Sequence, residues 1–139
     1  MAESTSSSSE SLAHAALEQG EFTEALRLFE TVLTEYKKAK GAESIEVATI
    51  YNNMGTVFIS EGRLAEAYEM CEKSLQIKLC CLGEAHPDVA STYGNMGAVL
   101  EQQGKNAEAL LVYEKSYEIQ VSNLEGGAEH PLAKETQES

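Results

Sequence analysis

Hydrophobic residues in the middle of the chain recur at intervals of three and four positions, which is the spacing of one face of an α-helix. One such run extends from Val47 to Phe58, and a second extends from Leu64 to Leu79. Gly62 separates the two runs, at a point where a helix must end. The pattern therefore predicts two consecutive helices joined by a tight turn.

The same pattern returns after 42 residues. When residues 43–84 are aligned with residues 85–126, 16 of the 42 positions are identical. Residues 1–42 align in the same register with fewer identities, which include Gly20, Ala25 and Gly41. A fixed period of this length is typical of repeat architectures in which one supersecondary unit is stacked on the next. The sequence thus predicts three copies of a helical hairpin.

Small residues occupy the positions where the two helices of a hairpin face each other. A larger side chain there would hold the helices apart, so glycine and alanine indicate close approach. These small residues are Gly55 and Gly97 on the first helices and Ala25, Ala67 and Ala109 on the second helices. Larger side chains nearby are expected to fill the core. They are Tyr51, Met54, Phe58 and Leu75 in the second copy and Tyr93, Met96, Leu100 and Tyr113 in the third.

The hairpin pattern resembles the tetratricopeptide repeat, whose signature of aromatic, small and glycine positions extends over about 34 residues. In the second copy the signature positions hold Tyr51, Met54, Gly55, Phe58, Gly62, Ala67, Cys71 and Ser74. The last position is usually alanine, and serine keeps it small. The resemblance implies an all-α fold, a right-handed superhelical solenoid (an alpha-alpha superhelix) of three hairpins over about residues 9–41, 48–83 and 90–125.

The additional eight residues of each copy form a junction that is also specific. The segment from Leu82 to Ala90 resembles the junction in the long tetratricopeptide repeats of kinesin light chains. Here Gly83 is expected to end one helix, and Pro87 is expected at the first position of the next, where its missing N–H is not needed. We expect His86 to serve helix entry rather than metal binding or catalysis.

The two ends of the chain depart from the repeat. Residues 1–8 are expected to be a disordered, Ser-rich leader, and residues 127–139 a partial fourth repeat or a capping segment that begins near His130 and Pro131. A solenoid without a cap leaves the apolar face of its last hairpin open. A homodimer through this C-terminal end is one expected way to cover it.

Composition excludes several classes of function. The chain has 23 acidic and 10 basic residues and a formal net charge of -13, so we expect no binding to nucleic acid. No segment of about 20 apolar residues predicts a membrane span, and Met1 to Ser11 lack the pattern of a signal peptide. The three cysteines favour a reducing compartment, the cytoplasm. No metal site, cofactor site or catalytic motif is recognisable, so an enzyme is not expected.

The resemblance also implies that the first helices of the three hairpins line a concave groove. Their residues that the core does not use are candidates for binding an extended peptide. These groove residues are Thr49, Asn52, Asn53, Thr56, Ser60, Ser91, Asn95, Glu101 and Gln102. Asn53 and Asn95 are the strongest candidates because an amide can both donate to and accept from a peptide backbone. The alternative is an asparagine that bonds to a neighbouring helix.

Some tetratricopeptide domains bind the C-terminal carboxylate of chaperones with Lys and Asn on successive first helices. The Asn positions match here at Asn53 and Asn95, but Ser7, Thr49 and Ser91 stand where the Lys residues would be. The sequence therefore favours a neutral or basic peptide over an acidic tail. An alternative role is an oligomerisation module, in which repeats pack end to end or swap helices.

Overall fold

The computed structural model describes residues 2–128, with side chains for residues 8–124, and this part of the chain folds into six α-helices without a strand. The helices are α1 (Ala2–Glu18), α2 (Phe22–Lys40), α3 (Ile45–Glu61), α4 (Leu64–Leu82), α5 (Pro87–Gln102) and α6 (Asn106–Ala128). Each helix packs against the one before it and the one after it. The three predicted hairpins are thus α1–α2, α3–α4 and α5–α6, arranged as an all-α solenoid.

The turns within the hairpins follow the prediction from the glycine positions. Gly20, Gly62 and Gly104 have φ angles of 79° to 81°, which is the left-handed conformation that closes a helix end. After Gly62, the N–H of Arg63 reaches back to the carbonyl of Phe58 at 2.8 Å. The second helix of this hairpin begins at Leu64 and ends at Leu82, as the repeat pattern predicts.

The junctions between hairpins are closed by side-chain caps. His86 lies before α5, and its Nδ1 accepts a hydrogen bond from the N–H of Asp88 at 3.0 Å, with Pro87 in the first turn. At the preceding junction, Ser44 Oγ accepts a bond from the N–H of Val47. The expected helix-entry role of His86 is confirmed, because its ring nitrogen satisfies a donor that the helix itself leaves free.

Close approach within each hairpin is also confirmed. Ala25 and Ala67 are fully buried, and Ala109 is nearly so. A Cβ placed on Gly55 would lie 3.3 Å from Cys71 Sγ, and one placed on Gly97 would lie 2.7 to 2.9 Å from the Tyr113 ring. A side chain at Gly97 would therefore displace the Tyr113 ring, and one at Gly55 would require Cys71 to shift by a few tenths of an ångström.

Two buried serines add hydrogen bonds between the helices of a hairpin. Ser74 Oγ donates to the carbonyl of Ala48 at 2.8 Å, and Ser116 Oγ donates to the carbonyl of Ala90 at 2.9 Å. Both pairs connect the second helix of a hairpin to its first helix at equivalent positions. The serine at this signature position is thus a polar link and not only a small residue.

The core is largely as predicted, with one exception. Met54, Phe58, Met96 and Leu100 are buried, and Tyr51, Leu75 and Tyr93 are half-buried. The expectation for Tyr113 is wrong, because 37% of this residue is exposed. The Tyr113 ring contacts Gly97 of α5 on one side, and no further helix among the described residues covers its other side.

A buried lysine lies between the second and third hairpins. Lys78 on α4 is only 5% exposed, and its Nζ donates to Thr92 Oγ1 on α5 at 3.0 Å. Burial lowers the pKa of Lys78, an effect that the carboxylate of Asp88 partly offsets. Thr92 in turn donates to the carbonyl of Asp88.

The ends differ from the repeated part. α1 begins at Ala2, so it includes residues 2–8, for which the sequence predicts a leader. α6 continues to Ala128 and includes the start of the predicted partial fourth repeat. The rest of that segment, with His130 and Pro131, lies outside the described residues.

Candidate functional site

The first helices of the hairpins, α1, α3 and α5, form one row of the solenoid, and we call their outward side the first-helix face. The predicted groove residues on α3 and α5 all have solvent access there. Thr49, Ser60, Ser91, Glu101 and Gln102 are exposed, and Asn52, Asn53, Thr56 and Asn95 are half-buried. None of them is buried in the core, so each can be reached from outside the molecule.

The two strongest candidates, Asn53 and Asn95, have different surroundings. Asn95 Nδ2 donates a hydrogen bond to Asn52 Oδ1 at 3.1 Å, which connects α5 to α3. Asn53, the repeat equivalent of Asn95, has no side-chain hydrogen bond within the described part of the chain. The Asn95 amide is thus partly used in the fold, whereas both polar groups of Asn53 are available to a ligand.

Two threonines on α3 use their hydroxyl protons locally. Thr49 Oγ1 donates to the carbonyl of Ile45 at 3.1 Å, and Thr56 Oγ1 donates to the carbonyl of Asn52 at 3.3 Å. Each hydroxyl keeps acceptor capacity on its exposed side. Together with Asn53 they form a row of neutral polar groups along α3.

Glu101 is the one ionisable side chain among the predicted groove residues, and it has a partner. Its Oε1 accepts a hydrogen bond from the hydroxyl of Tyr113 on α6 at 3.0 Å. Burial, followed by this bond to a carboxylate, raises the pKa of Tyr113. Glu101 therefore belongs to the end of the third hairpin as well as to the first-helix face.

Charge is divided between the two rows of helices. Nine of the ten Lys and Arg residues lie within residues 2–128, and all nine are on second helices or in turns. The helices α1, α3 and α5 carry seven Asp and Glu residues and no Lys or Arg. The first helices thus contribute only negative formal charge from their own side chains, and part of it is paired, since Glu61 at the end of α3 accepts a hydrogen bond from Arg63 in the following turn at 3.2 Å.

Sequence reasoning missed one repeated arrangement of charge and ring. Lys73 Nζ lies 5.5 Å from the centre of the Tyr51 ring, and Lys37 lies 5.7 Å from the same ring. Lys115 and Tyr93 repeat the contact one hairpin later at 5.9 Å. The signal was present, because Tyr and Lys are identical in both copies at a separation of 22 residues. The contacts place positive charge beside the first helices but not on the first-helix face.

The cysteines form no shared centre. Cys71 is buried beside Gly55, and burial raises its pKa to about 11. Cys80 and Cys81 are exposed at the end of α4, where Cys81 Sγ contacts the carbonyl of Glu43. Among the described residues, no cluster of three or more His, Cys, Asp or Glu side chains could hold a metal ion.

Within the same residues, no helix has the length and apolar character needed to cross a membrane.

Comparison with known proteins agrees with the repeat pattern and the helix order. The tetratricopeptide repeat family model matches residues 4–63 and 46–120. This match covers most of the chain, and the chain therefore belongs to the tetratricopeptide repeat family. Proteins of this family typically serve as interaction folds without enzymatic activity, and they generally bind proteins or peptides.

Solved structures with the same fold include repeats of the kinesin light chain type. The crystal structure of BtubC (BKLC) from P. vanneervenii has a TM-score of 0.78 and 25% identity, covering 84% of this chain and 47% of that one. The putative kinesin light chain of Podosopora anserina with nearly identical TPR-like repeats has a TM-score of 0.75 and 22% identity, covering 86% and 57%. Our chain thus spans about half the length of these two proteins, and its repeats are of their type.

A third structure extends the likeness beyond kinesin light chains. The N-terminal domain of stress-induced protein-1 (STI-1) from C. elegans has a TM-score of 0.68 and 19% identity, covering 86% of this chain and 87% of that one. At this identity the likeness concerns the fold. No curated protein sequence matches the chain significantly.

Proposed function

We propose that this domain is an adaptor or scaffold module that binds an extended, neutral or basic segment of a partner protein along the first-helix face. The observation that carries the proposal is the division of charge, since α1, α3 and α5 hold seven acidic residues and no basic one. A row of helices with this charge attracts positive side chains and repels acidic tails, and the pairing of Glu61 with Arg63 neutralises it at one end of α3 only. The net charge of -13 acts in the same direction at longer range.

Neutral polar groups on the same face supply contacts to the peptide backbone. Asn53 has a donor and an acceptor that no other side chain of residues 8–124 uses, and Thr49 and Thr56 have acceptor capacity beside it. Such groups bind a main chain whatever its side chains. The negative charge of the first helices then selects a partner with positive side chains, and the Asn53 amide binds the partner's backbone.

The proposal disfavours capture of an acidic C-terminal tail. Binding of a carboxylate at this face would leave its charge unpaired, because Thr49 and Ser91 offer hydroxyl groups where a cation is needed. Three free cysteines, two of them exposed, favour a reducing compartment, and we propose the cytoplasm.

A charge series of peptides tests the proposal. Fluorescence anisotropy would measure the affinity of the protein for labelled, unstructured peptides of equal length that have positive, zero or negative net charge. We expect the positive peptide to bind most tightly and the negative peptide to bind least, with affinity falling as salt rises. Tightest binding of the negative peptide would contradict the proposal.

A pair of matched variants then locates the site. Asn53→Lys places a positive charge on the first-helix face, and Gln76→Lys places the same charge on the exposed side of α4. We expect Asn53→Lys to weaken binding of the positive peptide about 10-fold and Gln76→Lys to leave it nearly unchanged. Equal effects of both variants would show that net charge, and not this face, governs binding.

A further inference from the structure

A row of apolar side chains along α6 is open to solvent, with Tyr113 at its inner edge against Gly97 of α5. It consists of Leu110, Tyr113, Tyr117, Val121 and Leu124, and we call it the α6 stripe. Leu110 is 57% exposed, Tyr113 37%, and Tyr117 and Leu124 67% each, while Val121 is half-buried. Large apolar residues that share one helix face in this way mark an interaction surface more often than chance exposure.

The same face is covered in the two earlier hairpins. On α2, the equivalent Leu26, Phe29 and Leu33 pack with Ile50, Met54 and Val57 of α3. On α4, Tyr68 packs in one cluster with Val99 of α5. The first three members of the α6 stripe thus occupy positions that the following hairpin covers on α2, whereas the α2 equivalents of Val121 and Leu124 are the exposed Lys37 and Lys40.

The opposite end of the solenoid does not offer a matching surface. On α1, the positions equivalent to Ile50, Met54 and Val57 are held by Ser8, Leu12 and Ala15, all three of which are exposed. Only Leu12 is large and apolar. A head-to-tail contact between copies would therefore place bulky groups of α6 against a small and polar surface.

The spacing of the α6 stripe is symmetric about Tyr117. Leu110 and Leu124 each lie seven residues from it, and Tyr113 and Val121 each lie four residues from it. When two identical helices pair antiparallel about a two-fold axis, residues at equal distance on opposite sides of the axis meet. Leu110 would then meet Leu124 of the second copy, Tyr113 would meet Val121, and the two Tyr117 rings would meet at the axis.

We infer that the α6 stripe binds the α6 stripe of a second copy of this chain, in an antiparallel two-fold dimer centred on Tyr117. The stripe is about 21 Å long at the rise of an α-helix. Its exposed apolar surface is on the order of 400 Å². This is about half of what each partner buries in a standard interface, so we expect dissociation constants in the micromolar range.

Charge permits this pairing and predicts its salt dependence. The stripe itself has no charged residue, and the carboxylates of Glu114 and Glu118 lie beside it towards solvent. The symmetric pairing brings Glu114 near the neutral Gln120 of the second copy. Since each copy carries a net charge of -13, repulsion opposes association, and added salt should tighten the dimer.

Sedimentation velocity of the full chain over a concentration series tests the inference. We expect a reversible monomer–dimer equilibrium that shifts towards dimer as salt rises. Tyr117→Glu should raise the dissociation constant by about 100-fold. The matched control is Leu111→Glu, because Leu111 is 62% exposed but lies about 120° around the helix from Tyr117. All these residues are exposed, so circular dichroism should show unchanged folding.

Two outcomes would overturn the inference. One is a monomer at every concentration and salt, which would show that the stripe does not bind a second copy. The other is a dimer that responds equally to Tyr117→Glu and Leu111→Glu. Binding of the basic peptide should persist in Tyr117→Glu, because the first-helix face is separate, so failure of one proposal is distinguishable from failure of the other.

The antiparallel register has its own test. Leu110→Lys and Leu124→Glu should each weaken the dimer by about 10-fold or more. When both changes are on the same chain, each lysine meets a glutamate of the second copy, and a substantial part of the affinity should return. Additive losses in the double variant would contradict the proposed register.

Discussion

Asn95 on α5 donates its amide proton to the side-chain oxygen of Asn52 on α3 across 3.1 Å. The two residues belong to successive hairpins, and this bond connects their first helices side by side. Its position on the first-helix face means that one polar contact serves both the packing of the solenoid and the shape of the candidate site. Asn53, one residue away, makes no side-chain hydrogen bond to another described residue.

The Asn52–Asn95 bond predicts energetic coupling between two hairpins. Asn52→Ala and Asn95→Ala should each lower the free energy of unfolding by about 0.5–1.5 kcal/mol, since both side chains are half-buried. The double variant should lose less than the sum, because the second change removes a group that has already lost its partner. Urea unfolding of the three variants measures this, and strict additivity would contradict the bond.

Close packing at Ala67 predicts a cost for added volume. Ala67 is fully buried, and its carbonyl lies 3.4 Å from where a Cβ on Gly55 would stand. Ala67→Leu should therefore destabilise the protein by about 1–3 kcal/mol through overpacking. Ala65→Leu is the control, because Ala65 lies on the exposed side of the same helix. Thermal unfolding of both variants should show a loss only for Ala67→Leu.

The buried Lys78 predicts a substitution that stabilises. Lys78→Met removes a desolvated charge and keeps the length of the side chain, and we expect a gain of about 1–2 kcal/mol in the free energy of unfolding at neutral pH. Thr92 does not lose its only partner, because its hydroxyl still donates to the carbonyl of Asp88 at 3.2 Å. A loss of stability in Lys78→Met would show that the Lys78–Thr92 bond outweighs the desolvation.

The same lysine predicts a pH dependence of defined sign. Its pKa is lowered in the folded state from the ordinary 10.5, so between the two values the unfolded chain binds more protons. The unfavourable contribution is complete below the folded pKa and is relieved as pH rises towards about 10.5. The advantage of Lys78→Met over the natural chain should therefore shrink in alkaline solution, as urea unfolding at a series of pH values would measure.

The cysteines should differ in reactivity. Cys71 is fully buried and its pKa is raised to about 11, so almost no thiolate is present at pH 8. Cys80 and Cys81 are exposed. A thiol reagent should modify two cysteines rapidly in the folded protein and the third only on unfolding in urea. Fast modification of all three would contradict the packing of Cys71 against α3.

The parts of the fold that repeat could be predicted from the sequence. Identities at an offset of 42 residues fix the register, and Gly62 and Gly83 mark where α3 and α4 end. His86 and Pro87 mark the start of α5 for a reason that is local to the chain. Such features depend on backbone conformation and capping within a few residues, so they can be inferred without knowing what packs around them.

The contacts between hairpins could not be predicted in the same way. On a helix, a shift of one residue rotates a side chain by about 100°, and this decides that Asn52, not Asn53, meets Asn95. Tyr113 has the sequence signature of a core residue, but its burial depends on a neighbour that α6 lacks among the described residues. Lys78 has the opposite character, since a charged residue gives no sign in the sequence that it will be buried.

In each of the last two hairpins, a buried serine on the second helix donates a hydrogen bond to a carbonyl of the first helix. The pairs are Ser74 with Ala48 and Ser116 with Ala90. Because each bond joins both helices of one hairpin, we expect bending of the solenoid to occur mainly where one hairpin packs against the next. Such bending would change the curvature of the first-helix face without unfolding any helix.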